Sequence, residues 1–239
     1  MKIHIIKCLE DNYCYAIEDS KSKKLILVDT PEFTPIDQFL EKNNLKVTDI
    51  LNTHHHGDHV GANLDLKAKY SCTIWGSLED SERIPGIDKK LKDKERFKIG
   101  EIQFLATQVP GHTSHHLTYF LPQEKILFSG DTLFSMGCGR LFEGSFEQMF
   151  HSLKDICGLP LDTQIYCGHE YSEKNARFAL SVDAKNPDLI ARSGEVLQLR
   201  RQNQPTVPTS LALELKINPF LRAKTLEEFR NLRKLREVF

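Results

Sequence analysis

Histidine and aspartate fill five of the six positions from 54 to 59 in this chain of 239 residues. The segment, Thr-His-His-His-Gly-Asp-His from position 53 (the histidine segment), follows an apolar run typical of a strand and precedes a helical pattern. On extended backbone, residues two apart point to the same side, so His54 and His56 can converge on one point. The intervening glycine permits a sharp turn, after which Asp58 and His59 can face a second point nearby. The segment therefore predicts a metal site.

Three later segments repeat one design, in which a strand pattern ends at a glycine that is followed by a potential metal ligand. They are Gly111-His112, Gly130-Asp131 and Gly168-His169. Side chains at strand ends share one rim of a sheet sandwich, as a site with several ligands requires. Imidazole and carboxylate without thiolate suit zinc, iron or manganese, and we take zinc as the expected metal.

These motifs together resemble the metallo-β-lactamase superfamily over about the first 170 residues. The resemblance implies an α/β fold, the αββα sandwich, with two divalent metal ions per chain. It also implies that Asp58 and Asp131 are catalytic, and that Asp131 bridges the two ions. The implied ligands are His54, His56 and His112 for the first metal, and Asp58, His59 and His169 for the second.

The remaining histidines are expected not to bind metal. His55 points away from its neighbours on a strand, and His116 is expected to make supporting or structural hydrogen bonds. The others in this group are His4, His115 and His151. His115 stands where relatives usually carry glycine, which should reshape the turn beside His112.

Strand patterns separated by turns fill the first two thirds of the chain, which predicts a layered α/β domain. Helix patterns interrupt them at about residues 34–44, 58–69 and 145–157. The lysine-rich stretch from Asp88 to Lys98 is most simply a solvated loop or helix face.

After about residue 170 the patterns become helical. Asn186-Pro187 should open a helix that runs to about Gln202, and Thr225 to Glu228 matches a capping box. Behind it an apolar stripe follows at helical spacing, made of Leu226, Phe229, Leu232 and Leu235. We therefore predict a catalytic domain over residues 1–169 and a helical domain over residues 170–239.

Three segments narrow the resemblance to the glyoxalase II family. They are Gly137 to Gly144, Cys167 to Ala179 and Thr206 to Arg222. That family implies hydrolysis of S-(2-hydroxyacyl)glutathione, such as S-D-lactoylglutathione, to glutathione and D-lactate, the second step of methylglyoxal detoxification. The resemblance implies that the helical domain over residues 170–239 binds glutathione. The implied glutathione contacts are Arg140, Phe142, Tyr171, Arg233 and Arg236. Phe142 stands where some relatives have tyrosine, so a hydroxyl contact is missing. A competing interpretation of Arg233 and Arg236 is that they are solvated arginines on a terminal helix.

Two ions sharing a water would present a hydroxide, so hydrolysis by a metal-bound hydroxide is the predicted mechanism. The nearest alternative is a glutathione-persulfide sulfur dioxygenase of the same fold, which uses one iron. A ribonuclease would want a basic surface, and the formal charge of −1 offers none. A structural zinc protein would favour closed, cysteine-rich sites.

The amino-acid composition indicates which binding partners and which cellular compartment to expect. The balance of 40% apolar and 27% charged residues is that of a globular protein and predicts neither nucleic-acid nor membrane binding. Six cysteines without a C-x-x-C pair favour reduced thiols, and the first residues do not resemble a signal peptide. We therefore expect a cytoplasmic monomer whose partner is a small glutathione thioester.

Overall fold

The computed structural model describes residues 1–239 and divides into two compact units. The first unit comprises residues 1–108 and 115–124, and the second comprises residues 109–114 and 125–239. None of the helices combines the length and the apolar character that crossing a membrane requires. The predicted domain boundary between residues 169 and 170 stays a prediction.

The first unit contains nine strands and three helices. They are β1 (Lys2–Cys8), β2 (Asn12–Asp19), β3 (Lys24–Val28), α1 (Phe33–Lys42), β4 (Asp49–Leu51), α2 (Gly57–Val60), α3 (Asn63–Tyr70), β5 (Thr73–Ser77), β6 (Lys89–Leu91), β7 (Glu95–Ile99), β8 (Ile102–Gln108) and β9 (Leu117–Leu121). Strands β1 to β6 form one sheet in sequence order, antiparallel from β1 to β3 and parallel from β3 to β6. Strands β7, β8 and β9 form an antiparallel ladder.

Burial on both faces explains the central strands of the first sheet. Strands β3 and β4 read as nearly continuous apolar runs, as parallel strands covered on both sides do. Helix α1 buries Ile36 and Leu40, four residues apart, in the core that also contains Leu27 and Ile50. The loops that follow β3, β4 and β5 therefore extend from a rigidly packed sheet.

The lysine-rich stretch from Asp88 to Lys98 forms β6, a turn and β7, so the prediction of a solvated loop or helix face was wrong. In β7 the exposed residues alternate with less exposed ones. The aromatic ring of Phe97 stacks between Trp75 and Phe104, at 5.2 Å from each ring centre. A few apolar anchors therefore hold strands whose lysines remain in solvent.

The second unit contains five short strands and six helices. They are β10 (Ile126–Gly130), β11 (Leu133–Phe134), β12 (Gly137–Cys138), α4 (Phe146–Cys157), β13 (Gln164–Cys167), α5 (Ser172–Val182), α6 (Pro187–Arg201), β14 (Thr209–Ser210), α7 (Leu211–Ile217), α8 (Pro219–Arg222) and α9 (Leu226–Val238). Strand β13 pairs parallel with β10 and antiparallel with β14, and β11 pairs with β12 as a hairpin.

Helix α9 differs from the prediction at its buried face. Thr225 caps the helix through the Glu228 N–H, at 3.1 Å, but the Glu228 carboxylate accepts from Lys224 N–H rather than closing the capping box. Phe229 is buried as predicted, whereas Leu235 is 47% exposed and Arg233 only 3% exposed. An arginine therefore replaces part of the predicted apolar stripe at the face that packs.

Candidate active site

The histidine segment follows the end of β4. Residues 54–56 belong to no helix or strand, and α2 begins directly after His56. The Nε2 atom of His54 lies 3.1 Å from the Nδ1 atom of His56. Two ring nitrogens on alternate residues therefore converge, as the extended-backbone argument predicted. Gly57 is not the cause of the turn, because its φ is not positive and a Cβ there would meet nothing within 4 Å. The change of direction comes from the start of α2.

Hydrogen bonds fix which nitrogen of His54 carries the proton. The Thr53 hydroxyl donates to Asp29 Oδ2 at 2.8 Å, so it accepts from the Nδ1–H of His54 at 3.0 Å. The Nε2 atom of His54 therefore keeps its lone pair, which is the form that can bind a metal.

Asp29 is a supporting residue that the sequence interpretation missed. Its carboxylate accepts the Thr53 N–H at 2.8 Å, the Thr53 hydroxyl at 2.8 Å and the Nδ1–H of His59 at 2.8 Å. It follows β3 directly and adopts a left-handed φ of 55°, a strained conformation for a residue with a side chain. The signal was available, since Asp29 is a polar residue at a strand end, but no glycine marks it.

Asp58 and His59 lie in the single turn of α2. The Nε2 atom of His59, opposite its bond to Asp29, lies 3.7 Å from Asp58 Oδ2. The amide of Asn12 donates to the Asp58 main-chain oxygen at 3.0 Å and to Oδ2 at 3.1 Å. The two side chains therefore face one point, and Asn12 at the start of β2 holds Asp58 there.

Asp131 lies between His112 and His169. Its Oδ2 atom is 3.5 Å from the Nε2 atom of His112 and 3.2 Å from the Nε2 atom of His169. The Nδ1–H of His112 donates to the main-chain oxygen of Arg140 at 2.9 Å, which leaves the Nε2 lone pair available. The backbone needs glycine before two of these residues, because φ is 153° at Gly111 and 49° at Gly130.

Each unit brings candidate metal ligands of its own together. In the first unit the ring nitrogens of His54 and His56 converge, and Asp58 lies close to His59. In the second unit Asp131 lies close to both His112 and His169. Neutral imidazoles with fixed tautomers, converging with carboxylates, fit a divalent cation. The residues present therefore fit the metal centre that the sequence predicted.

Two aromatic side chains lie against the ligands of the second unit. The half-buried ring of Tyr171 stacks on His169, with ring centres 4.6 Å apart and planes within 6°. Phe142 is 63% exposed and meets the ring of His112 edge to face, at 5.2 Å. Both predicted substrate contacts therefore flank metal ligands and present a surface beside them.

Arg233 and Arg236 of α9 lie beside the loop after β12, which carries a third arginine, Arg140. The Arg233 guanidinium is buried, and it donates through Nη1 to the Cys138 main-chain oxygen at 3.2 Å while lying over the Phe220 ring at 5.3 Å. Its Nε–H is buried without a hydrogen-bond partner. Burial, followed by the charges of Arg233 and Arg140, lowers the pKa of Arg236. The solvated-arginine interpretation is therefore wrong for Arg233, and the cluster is a place where an anion would be stabilised.

A polar network holds the tight turn of the β11–β12 hairpin, which precedes Arg140. The buried carboxylate of Glu214 accepts the Met136 N–H at 2.7 Å and the Ser135 hydroxyl at 3.0 Å. The amide of Asn218 donates to the main-chain oxygens of Phe134 and Gly137, at 3.1 and 3.0 Å. Helix α7 and the start of α8 therefore fix the loop that carries Arg140.

Two sequence families together match residues 9–239 of the chain. The metallo-beta-lactamase superfamily matches residues 9–169, and the hydroxyacylglutathione hydrolase C-terminus matches residues 170–239. A hydroxyacylglutathione hydrolase of Methylococcus capsulatus is 46% identical over 227 residues, which cover 95% of this chain and 89% of the relative. That of Pelagibacter ubique is 41% identical over the full length of both chains. The crystal structure of ETHE1 from Myxococcus xanthus matches with a TM-score of 0.75 and 25% identity, covering 98% of this chain and 90% of that one.

Proposed function

Because this chain belongs to the metallo-beta-lactamase superfamily, and within it to the hydroxyacylglutathione hydrolases, we propose that it hydrolyses S-(2-hydroxyacyl)glutathione thioesters. The predicted fold, with its small helical C-terminal region, and the predicted glyoxalase II activity are confirmed. S-D-lactoylglutathione is the proposed substrate, and glutathione and D-lactate are the products.

The proposed metal ligands form two groups, His54, His56 and His112 for one ion and Asp58, His59 and His169 for the other, with Asp131 shared between them. Support comes from the position of Asp131 Oδ2, which lies close to one histidine of each group. When bound, two divalent ions, proposed to be Zn²⁺, lower the pKa of a shared water and polarise a carbonyl oxygen. The chain contributes the preset tautomers of His54, His59 and His112, so that each ring offers Nε2 without rearrangement.

The three arginines are the main support for glutathione as the thiol half of the substrate. Glutathione has two carboxylates, and Arg140, Arg233 and Arg236 would receive them as charge-assisted hydrogen bonds. Support comes from the bond between His112 and the Arg140 main-chain oxygen, which ties the basic loop to a proposed metal ligand. Tyr171 and Phe142 would then position the thioester against His169 and His112.

A thioester suits this arrangement because its leaving group is easily expelled. The thiol released has a pKa of about 8.5, so the thiolate departs with little help from a general acid. An amide or an alkoxide would require a proton donor at that position. We further propose a cytoplasmic location, supported by six cysteines that are all free thiols, whereas the monomeric state stays a prediction.

The test compares S-D-lactoylglutathione with the S-D-lactoyl thioester of N-acetylcysteamine, which has the same acyl group and lacks the glutathione carboxylates. We expect a far higher kcat/KM for the glutathione thioester, with two metal ions per chain in the same sample. Equal kcat/KM values would contradict the glutathione assignment. Oxygen consumption with glutathione persulfide, together with one iron per chain, would instead support the sulfur dioxygenase.

A further inference from the structure

The side chain of His55 lies between two proposed metal ligands in sequence and is enclosed by two residues of the loop after β5. We propose that His55, Asp80 and Arg83 form a positioning triad that holds the histidine segment in its metal-binding conformation. The inference rests on the metal site of the proposed function, and it concerns how tightly that site binds.

Each member of the triad contacts the other two. The Nδ1 atom of His55 lies 3.2 Å from Asp80 Oδ2, and the Arg83 Nη1 atom lies 3.1 Å from the His55 Nε2 atom. Arg83 also donates to Asp80 Oδ1, from Nη2 at 2.5 Å and from Nε at 3.2 Å. A ring of three charged or polar side chains is therefore closed by hydrogen bonds.

The donors and acceptors of the triad determine its protonation. A guanidinium can only donate, so the Nε2 atom of His55 must be the acceptor from Arg83. The Nδ1 atom of His55 then carries the proton and donates it to Asp80. His55 is a neutral ring with both nitrogens engaged, and Asp80, which is fully buried, is neutralised by the neighbouring guanidinium.

The topology explains why these two loops meet. Strands β4 and β5 are parallel neighbours, with Leu51 opposite Trp75, so the segments after them leave the same edge of the sheet. The Asn52 N–H donates to the Trp75 main-chain oxygen at 2.9 Å, which extends the pairing by one residue. Beyond that point residues 54–56 belong to no helix or strand.

The segment between β4 and α2 therefore depends on side-chain contacts for its conformation. His54 and His56 can present converging nitrogens only if the residue between them points the other way. The triad fixes His55 in that direction from the loop after β5. A metal ion then binds ligands that are already in place. Its binding free energy is therefore not reduced by the entropy cost of ordering those ligands.

The test measures metal affinity rather than catalysis. Metal-free protein is titrated with Co²⁺ while its visible absorption is recorded, and Zn²⁺ affinity is measured by competition with a chelating dye. Loss of an outer-shell partner commonly weakens metal binding by about 10–100-fold, and we expect Asp80→Ala and Arg83→Ala to fall near the lower end. Arg83→Lys should restore part of the loss because it keeps a donor for His55.

Asp49→Ala is the matched control. Asp49 is also a buried carboxylate, it accepts from the Trp75 indole at 3.0 Å and from Lys24 at 3.3 Å, and it begins the same strand, β4, that ends at the histidine segment. It should lower the free energy of unfolding without changing the affinity or the Co²⁺ spectrum. Arg83 is partly exposed, so its variant tests the proposal even if Asp80→Ala does not fold.

Parent-like affinity and spectrum in Arg83→Ala would overturn the triad, and so would an equal loss of affinity in Asp49→Ala. A parent protein that binds neither metal would overturn both the triad and the proposed metal site. A parent that binds two ions tightly but does not hydrolyse the glutathione thioester would overturn the proposed function alone, since the triad is judged by affinity.

Discussion

Replacing Glu214 by leucine is expected to destabilise the protein and to loosen the loop that carries Arg140. The Glu214 carboxylate is fully buried and accepts four hydrogen bonds. Two come from N–H groups, those of Met136 and the Asn218 amide, at 2.7 and 3.1 Å. The other two come from the hydroxyls of Ser135 and Thr209, at 3.0 and 2.8 Å.

The expected loss in the free energy of unfolding follows from the two kinds of donor. Hydroxyls can rotate towards other acceptors, and the Asn218 amide keeps the main-chain oxygens of Phe134 and Gly137, but the Met136 N–H would remain buried without a partner in Glu214→Leu. Such a donor costs about 1–3 kcal/mol, so the free energy of unfolding should fall by about 1–3 kcal/mol. Because the turn before Arg140 is then free to move, KM for the glutathione thioester should rise more than kcat falls.

Glu214→Gln is the matched control, and the geometry predicts that it is tolerated. The N–H donors both bond to Oε2, and the hydroxyls both bond to Oε1. A glutamine can keep its carbonyl oxygen at the Oε2 position and direct its two N–H groups to the two hydroxyls, which accept as readily as they donate. All four partners stay satisfied, and a buried charge is removed.

The difference between the parent and Glu214→Gln should depend on pH. Burial raises the pKa of the Glu214 carboxyl above its ordinary value of 4.5, although four hydrogen bonds oppose the shift. A group with a raised folded-state pKa gives its full stability below the unfolded pKa and loses it as pH rises through the folded pKa. Glutamine does not titrate, so the stability of the variant relative to the parent should increase upwards from pH 4.5.

Urea unfolding of the parent and both variants between pH 4.5 and 8 measures these effects, together with KM and kcat at neutral pH. The reasoning would be refuted if Glu214→Gln were as unstable as Glu214→Leu, since the oxygen-by-oxygen assignment would then be wrong. A loss below about 1 kcal/mol in Glu214→Leu would show that the buried Met136 N–H finds another partner.

Three further outcomes are expected. Asp29→Ala should weaken Zn²⁺ binding by about 10–100-fold in a chelator competition, because the tautomer of His59 is no longer fixed. Unchanged Zn²⁺ affinity would contradict this role of Asp29. Although burial raises it, hydrogen bonds from Ser22, Glu101 and Lys21 hold the pKa of Asp19 at about 2, against an ordinary 3.8. Asp19→Asn should therefore cost about 2 kcal/mol at pH 7 in urea unfolding, and its deficit should shrink as pH falls from about 4 towards 2. Changing Arg140, Arg233 and Arg236 together to alanine should raise KM for the glutathione thioester and flatten its dependence on salt, whereas parallel salt curves would make these arginines ordinary surface charges.

The proposed metal ligands were accessible to sequence reasoning because metal binding requires rare residues at strand ends. His54, His56 and Asp131 stand beside glycine or other histidines, so the pattern was dense enough to notice. Asp29 performs a related task without such a mark. Its left-handed φ is imposed by the surrounding structure, which a sequence pattern does not reveal.

Burial of charged residues was harder to predict. Arginine is rarely buried, so the pattern of α9 assigned the packed face to leucines and left Arg233 open to the solvated interpretation. Its burial depends on the Cys138 main-chain oxygen, 95 residues away in sequence, and on the Phe220 ring in the preceding helix. The triad of His55, Asp80 and Arg83 likewise joins loops that only the parallel pairing of β4 and β5 brings together.

The state of the cysteine thiols has a consequence for self-modification. A thioester can transfer its acyl group to any nearby thiolate, so an enzyme that handles thioesters risks acylating itself. Burial raises the pKa of all six cysteines, and it does so for Cys138 despite the opposing charge of Arg233 beside it. The Cys138 thiol, two residues before Arg140, is therefore kept in its unreactive protonated form at neutral pH. Self-acylation at Cys138 is therefore disfavoured.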